Sequence, residues 1–107
     1  MKVTELIEKM RLSVETQGSD REITGCYIGD LMSLALSDIF EGNIWVTVQT
    51  NINAVAVASH KEASCILLPK GLKPDKEARE RAESENMYIL SSDKTAYELC
   101  VIIDKMI

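Results

Sequence analysis

Three short apolar segments constrain this chain more than any other feature. Ile44–Val48 (IWVTV), Ser64–Leu68 (SCILL) and Tyr88–Leu90 lie roughly 20 residues apart. The first is rich in β-branched and aromatic residues, and each is short enough for a strand. A helix-like segment fills each gap. Parallel strands need a crossover of a dozen or more residues, and this spacing supplies one. Such crossovers are right-handed. The expected fold is α/β: a small domain with a mainly parallel sheet flanked by helices. The 107 residues are enough for one core. Residues 1–107 therefore read as a single domain, with no internal repeat or linker.

The remaining elements follow from periodicity and end signals. Val3, Leu6, Ile7 and Met10 predict a helix over 3–13. Thr16–Arg21 reads as a loop and Ile23–Ile28 as a short strand. Asp30 stands where a helix N-cap belongs, ahead of a helix over 31–40. Leu31, Leu34, Ala35 and Ile39 form one apolar face of that helix. Met32, Leu36 and Phe40 form a second, which needs a cover. Gly42 follows as a helix stop. AVAVAS alternates like a strand, but its alanines and the cap signal at Asn51 favour a helix over 53–61. Pro74 suits the first turn of a charged helix over 75–86, with Ala78 and Ala82 facing inward. Ser92 is read as the cap of a last helix, in which Tyr97, Cys100, Val101 and Asp104 mark successive turns.

Composition excludes several function classes. A formal charge of −5 disfavours nucleic acid and anionic membranes as partners. No apolar run approaches the roughly 20 residues of a membrane span. The opening MKVTELIEKMRLS lacks the pattern of a signal peptide. Cys26, Cys65 and Cys100 are odd in number and widely spaced, so neither a disulfide framework nor a zinc site is expected. They read as reduced, mostly buried thiols of a cytoplasmic protein. No metal and no cofactor is expected.

Two stretches concentrate the chemistry. DREITGCYIGD, from Asp20 to Asp30, has a structural reading and a functional one. In the first, Gly25 and Gly29 permit tight turns, Asp30 caps a helix, and Asp20 pairs with Arg21. In the second, Thr24, Gly25 and Tyr27 line a shallow ligand pocket. QTNIN places Gln49, Thr50, Asn51 and Asn53 just beyond a strand, where open α/β sheets bind ligands. Amide side chains there both donate and accept, which suits a base or a peptide edge. The plainer alternative is a helix cap at Asn51 and a solvated Gln49. His60 reads as a surface residue near a helix C-terminus. Lys73–Glu85 reads as a solvated helix face. Tyr27, Trp45, Tyr88 and Tyr97 read as core or interface anchors. There is no GxxxxGK[ST] phosphate loop and no evident nucleophile–base pair, so an enzyme is not expected.

DREITGCYIGDLMS, GNIWVTVQTNINAVAVAS and ILSSDKTAYEL, in that order, resemble the DRTGG domain family over roughly residues 1–105. The signature falls on Asp20, Arg21, Thr24 and Gly25, with Cys26 in place of its second glycine. Asn51 stands where relatives often carry histidine. The resemblance implies an α/β module similar to the N-terminal domain of HPr kinase/phosphorylase and to a Mur ligase domain. It also implies a regulatory role: such modules occur between CBS domains in regulated pyrophosphatases, where they help form a nucleotide-responsive dimer. The expectation is a non-catalytic regulatory module that forms a homodimer and binds a small ligand, nucleotides being candidates. The ligand pocket would lie between Thr24–Tyr27 and Gln49–Asn53. The alternative is a homodimerisation or adaptor module for a protein partner, with no ligand of its own.

Overall fold

The computed structural model describes all 107 residues. Five strands form one sheet: β1 (Ser13–Thr16), β2 (Gly25–Ile28), β3 (Asn43–Val46), β4 (Cys65–Leu68) and β5 (Tyr88–Ser91), in the spatial order β1-β5-β4-β3-β2. From β2 through β5 the pairing is parallel, and β1 joins β5 antiparallel. The expected α/β architecture is present.

Five helices flank the sheet: α1 (Val3–Met10), α2 (Met32–Asp38), α3 (Ile52–His60), α4 (Lys76–Ser84) and α5 (Ala96–Met106). One face of the sheet packs on α2, α3 and α4 through Ala35, Ile39, Ala54, Ala58, Ala78 and Ala82. The other packs on α1 and α5 through Val3, Leu6, Leu99 and Ile103. Thirteen buried residues gather on the first side and twelve on the second, so both faces are sealed. That is why β3, β4 and β5 read as continuous apolar runs rather than alternating ones. AVAVAS is helical because Ala54, Val55 and Ala58 bring one face of α3 onto the sheet.

The structure corrects several expectations. The first helix stops at Met10, because Arg11 turns left-handed (φ 52°) and Ser13 begins β1. β1 was not visible in the sequence: SVET holds a single apolar residue. It is held instead through Thr16, whose buried hydroxyl donates to Met87 O (2.8 Å) and accepts from Ile89 N (2.9 Å). Asp30 does not cap α2. Its carboxylate accepts from Thr47 Oγ1 and Val48 N, both at 2.9 Å. Ser92 does not cap α5. Thr95 does, in a reciprocal capping box with Glu98. The inner residues of α5 are Leu99 and Ile103, while Tyr97 and Val101 are exposed. At the start of α2, Leu31 and Leu34 face solvent and Met32 packs inward, the reverse of the expected faces, while Ala35 and Ile39 of the first face are buried. Pro74 precedes the helix, and Asp75 caps it by accepting from Ala78 N. Asp20 bonds Thr4 N and Oγ1 at the start of α1 rather than Arg21, which donates to Ala63 O.

Gly25 and Gly29 do not adopt positive φ; Gly42 (φ 86°) and Gly71 (φ 69°) do. The tightest glycine is Gly18. A Cβ there would sit 2.3 Å from Tyr88 N and 2.7 Å from the carbonyl carbon of Met87. Only a bare backbone lets the chain after β1 pass this close to the start of β5.

Candidate functional site

At the carboxyl ends of β2 and β3, polar side chains form a closed network. Gln49 Nε2 donates to Asp30 O (2.7 Å), and Asn51 Nδ2 donates to Gln49 Oε1 (2.9 Å). Asn51 Oδ1 accepts from Ala54 N, so Asn51 is the cap of α3. Thr50 O accepts from Asp75 N, tying this loop to α4. The crevice between Gln49–Asn51 and the α3–α4 alanines has no room for a water-sized molecule. The network joins the β2–α2 and β3–α3 loops. Asn53 lies exposed on α3.

Thr24 and Gly25 lie at the opposite end of the sheet. Gly25 opens β2 beside Asn43, which opens β3. Thr24 Oγ1 donates to Glu41 O (2.7 Å) and accepts from Asn43 Nδ2 (3.3 Å). The nearby recess, about 370 Å³, is lined by Arg21, Glu22, Thr24, Glu41, Gly42 and Glu62. Three carboxylates make it hostile to an anion. Tyr27 packs half-buried on the α2–α3 side. The seven residues expected at one pocket are therefore split: Thr24 and Gly25 at one end of the sheet, Gln49, Thr50, Asn51 and Asn53 beyond the other, Tyr27 under a helix layer. The parallel register forces this, because residues before one strand and after its neighbour occupy opposite ends.

Two other places hold concentrated chemistry. The first is the carboxyl end of β4 and β5, beside β1. A bulge between Val14 and Thr16 leaves Glu15 out of the pairing with β5. Its carboxylate meets Ser13 Oγ (3.0 Å), Ser91 Oγ (3.0 Å), Lys73 Nζ (3.1 Å) and Arg79 Nη2 (3.3 Å). Arg79 Nη1 also donates to Glu15 O. Desolvation alone would raise this carboxyl, but the hydrogen bonds from Lys73, Ser13, Ser91 and Arg79 outweigh it and hold it at about 2. Next to it opens a recess of about 630 Å³, lined by residues of the α1–β1 corner, the loops after β4 and β5, and α5. Its cations are Lys9, Arg11, Lys73 and Lys94. The sequence held one signal for it: PKGLK and SSDK each place lysine just past a strand.

The second place is the free edge of the sheet. β2 has a partner on one side only. A groove of about 510 Å³ runs between it and α5, lined by Cys26, Ile28, Tyr97, Val101 and Ile107 among others. Ile28 is 51% exposed and Tyr97 77%. On the other side of the sheet, Leu31, Leu34, Leu36 and Phe40 are also exposed. Of the three thiols only Cys65 is fully buried; Cys100 is partly covered and Cys26 is exposed, contrary to the expectation of mostly buried cysteines. Desolvation pushes Cys65 up to about 12. Partial desolvation, with Cys100 close by, moves Cys26 in the same direction. Neither is an activated nucleophile at neutral pH.

No protein-family model matches the chain, and no characterised protein matches it in sequence. Among solved structures it is similar to the CBS and DRTGG domains of the regulatory region of Clostridium perfringens pyrophosphatase, complexed with the activator diadenosine tetraphosphate. The TM-score is 0.67 at 14% identity, over 92% of this chain. The likeness is one of fold. The chain corresponds to 45% of the length of that structure. No helix of this chain is long and apolar enough to cross a membrane.

Proposed function

We propose that this chain is a non-catalytic, cytoplasmic regulatory module that forms a homodimer through the β2 edge and binds a small ligand at the carboxyl ends of its parallel strands. The carrying observation is the β2 edge. Its outward backbone groups have no strand partner, and apolar side chains rim it on both sides: Ile28, Tyr97, Val101 and Ile107 below, Leu31, Leu34 and Phe40 above. Exposed apolar surface around an unpaired edge is a template for another strand. A two-fold axis beside β2 would set β2 antiparallel to its copy, joining two sheets and covering both rims at once. The shared fold with a pyrophosphatase regulatory region supports the regulatory reading. Burial of the Cys65 thiol, which pushes it up to about 12, removes one candidate nucleophile.

One observation favours the alternative, a dimerisation or adaptor module for a protein partner with no ligand. Gln49, Asn51 and Thr24 spend their hydrogen-bonding groups inside the chain. Sedimentation velocity from low to high micromolar concentration tests the dimer. The expected mass is twice 11.9 kDa for the parent and 11.9 kDa for Ile28→Lys. A monomeric parent at all concentrations overturns self-association.

A further inference from the structure

We propose that the recess at the carboxyl ends of β4 and β5 binds the phosphate of a small phosphorylated metabolite. This deepens the ligand half of the reading above and rests on it. The first argument is charge. The chain carries twelve cationic and seventeen acidic side chains. Four of those cations, Lys9, Arg11, Lys73 and Lys94, line this one recess, and Asp93 is the only acid among its lining residues. Glu15 and Glu5 offset two of these cations, and Arg11 and Lys94 against Asp93 leave the recess net positive, which favours an anion.

The second argument is which of them are free. Lys73 is held by Glu15 at 3.1 Å, and Lys9 pairs with Glu5 at 3.5 Å on the surface of α1. Arg11 and Lys94 make no ion pair. They offer a planar fork and an ammonium, the two groups best suited to phosphoryl oxygens. Ser92 Oγ accepts from Lys94 N at 3.2 Å, which leaves its own proton to donate.

The third argument is preorganisation and size. Lys70 and Gly71 are consecutive left-handed residues. Their amides donate to Lys94 O and Ser92 O, both at 2.8 Å, which locks the β4 and β5 loops together. Those amides are spent, so the anion would be held by side chains rather than by a backbone cradle. The volume, about 630 Å³, suits a small metabolite. Met10 and Ile102 are the only apolar residues of the lining, and there is no aromatic face for a base. Recognition is therefore of the phosphate, with little selection for what carries it.

The test is calorimetric titration of the full chain at low ionic strength with pyrophosphate, AMP and adenosine. Pyrophosphate and AMP are expected to bind and adenosine not. The double variant Arg11→Gln/Lys94→Gln, checked for an unchanged melting temperature, should weaken both by about tenfold or more. Lys61→Gln, at the distant end of α3, should leave binding unchanged. No saturable binding of pyrophosphate overturns the proposal. So does adenosine binding as tightly as AMP, or equal weakening by Lys61→Gln, which would mark diffuse attraction only. The two readings fail separately. A metabolite bound equally by parent and double variant keeps the ligand reading and overturns this site. A monomeric mass with phosphate binding intact keeps this site and overturns the dimer.

Discussion

The two edges of the sheet are built in opposite ways. β1 guards its edge with charge: a bulge turns Glu15 out of the ladder, where Lys73 and Arg79 hold it and Ser13 and Ser91 fill its remaining acceptor sites. An added strand there would meet a bent backbone and an ion cluster. β2 is regular, pairs in unbroken register with β3, and is rimmed by Ile28, Leu31, Phe40 and Tyr97. The polar edge is closed by its own side chains, and the apolar one is left open. The proposed assembly rests on this contrast between the two outermost strands.

The contrast breaks most severely at Gly18. Valine there would drive a methyl-bearing carbon into the backbone at Met87–Tyr88. The expected loss is roughly 3 kcal/mol in chemical denaturation. β1 should detach and uncover β5, so the variant should aggregate, whereas the parent is expected to give a defined dimer. Ile28→Lys attacks the other edge. A buried cation facing its own copy should weaken self-association about 100-fold, roughly 2.7 kcal/mol, by sedimentation. The melting temperature of the dilute monomer should hardly change.

Glu15 tests the guarded edge by pH. Its carboxyl is held at about 2, below the ordinary 4.5. A depressed carboxyl contributes stability that is complete above 4.5 and is lost as pH falls toward 2. The side chain is 7% exposed, but Lys73 and Arg79 reach solvent. Screening by water therefore reduces its contribution to about 1–2 kcal/mol. Glu15→Gln should lose that amount at pH 7 and flatten the acid limb of stability, measured by urea unfolding from pH 7 to pH 2. The smallest effect is expected at Gly29. An added Cβ would lie 2.9 Å from Tyr27 Oη, the end of a side chain that can move, and φ there is not positive. Gly29→Ala should cost under about 1 kcal/mol in the same assay.

Much of this fold was legible in the sequence, for local reasons. β3, β4 and β5 announce themselves because burial on both faces demands unbroken apolar runs. Asn51 was readable as the end of a helix because a cap acts within three residues. What was missed depends on distant chain. β1 exists because Thr16 finds Met87 and Ile89, more than seventy residues on. Asp30 looked like a cap, but Thr47 and Val48, just past the end of β3, take its carboxylate first. The Thr95–Glu98 box is written in TAYE, and Ser92, three residues earlier, is a competing cap signal. The polar block Gln49–Asn51 is evident in the sequence, but its hydrogen-bonding partner is the loop that carries Asp30. The cationic recess has no contiguous motif beyond the lysines of PKGLK and SSDK. Its lining comes from four segments, at 9–13, 71–73, 91–94 and 102, that only the folded sheet brings together.

Hydrogen–deuterium exchange at Gly25–Ile28, followed as a function of protein concentration, tests the β2 edge most directly. In a dimer joined there, the outward amides of β2 acquire strand partners, so their exchange should slow as concentration rises through the dissociation constant. The β1 residues Ser13–Thr16 should exchange at one rate throughout, and Ile28→Lys should abolish the concentration dependence at β2. Exchange at β2 that stays fast and unchanged while the measured mass doubles would contradict this account and put the interface on another surface.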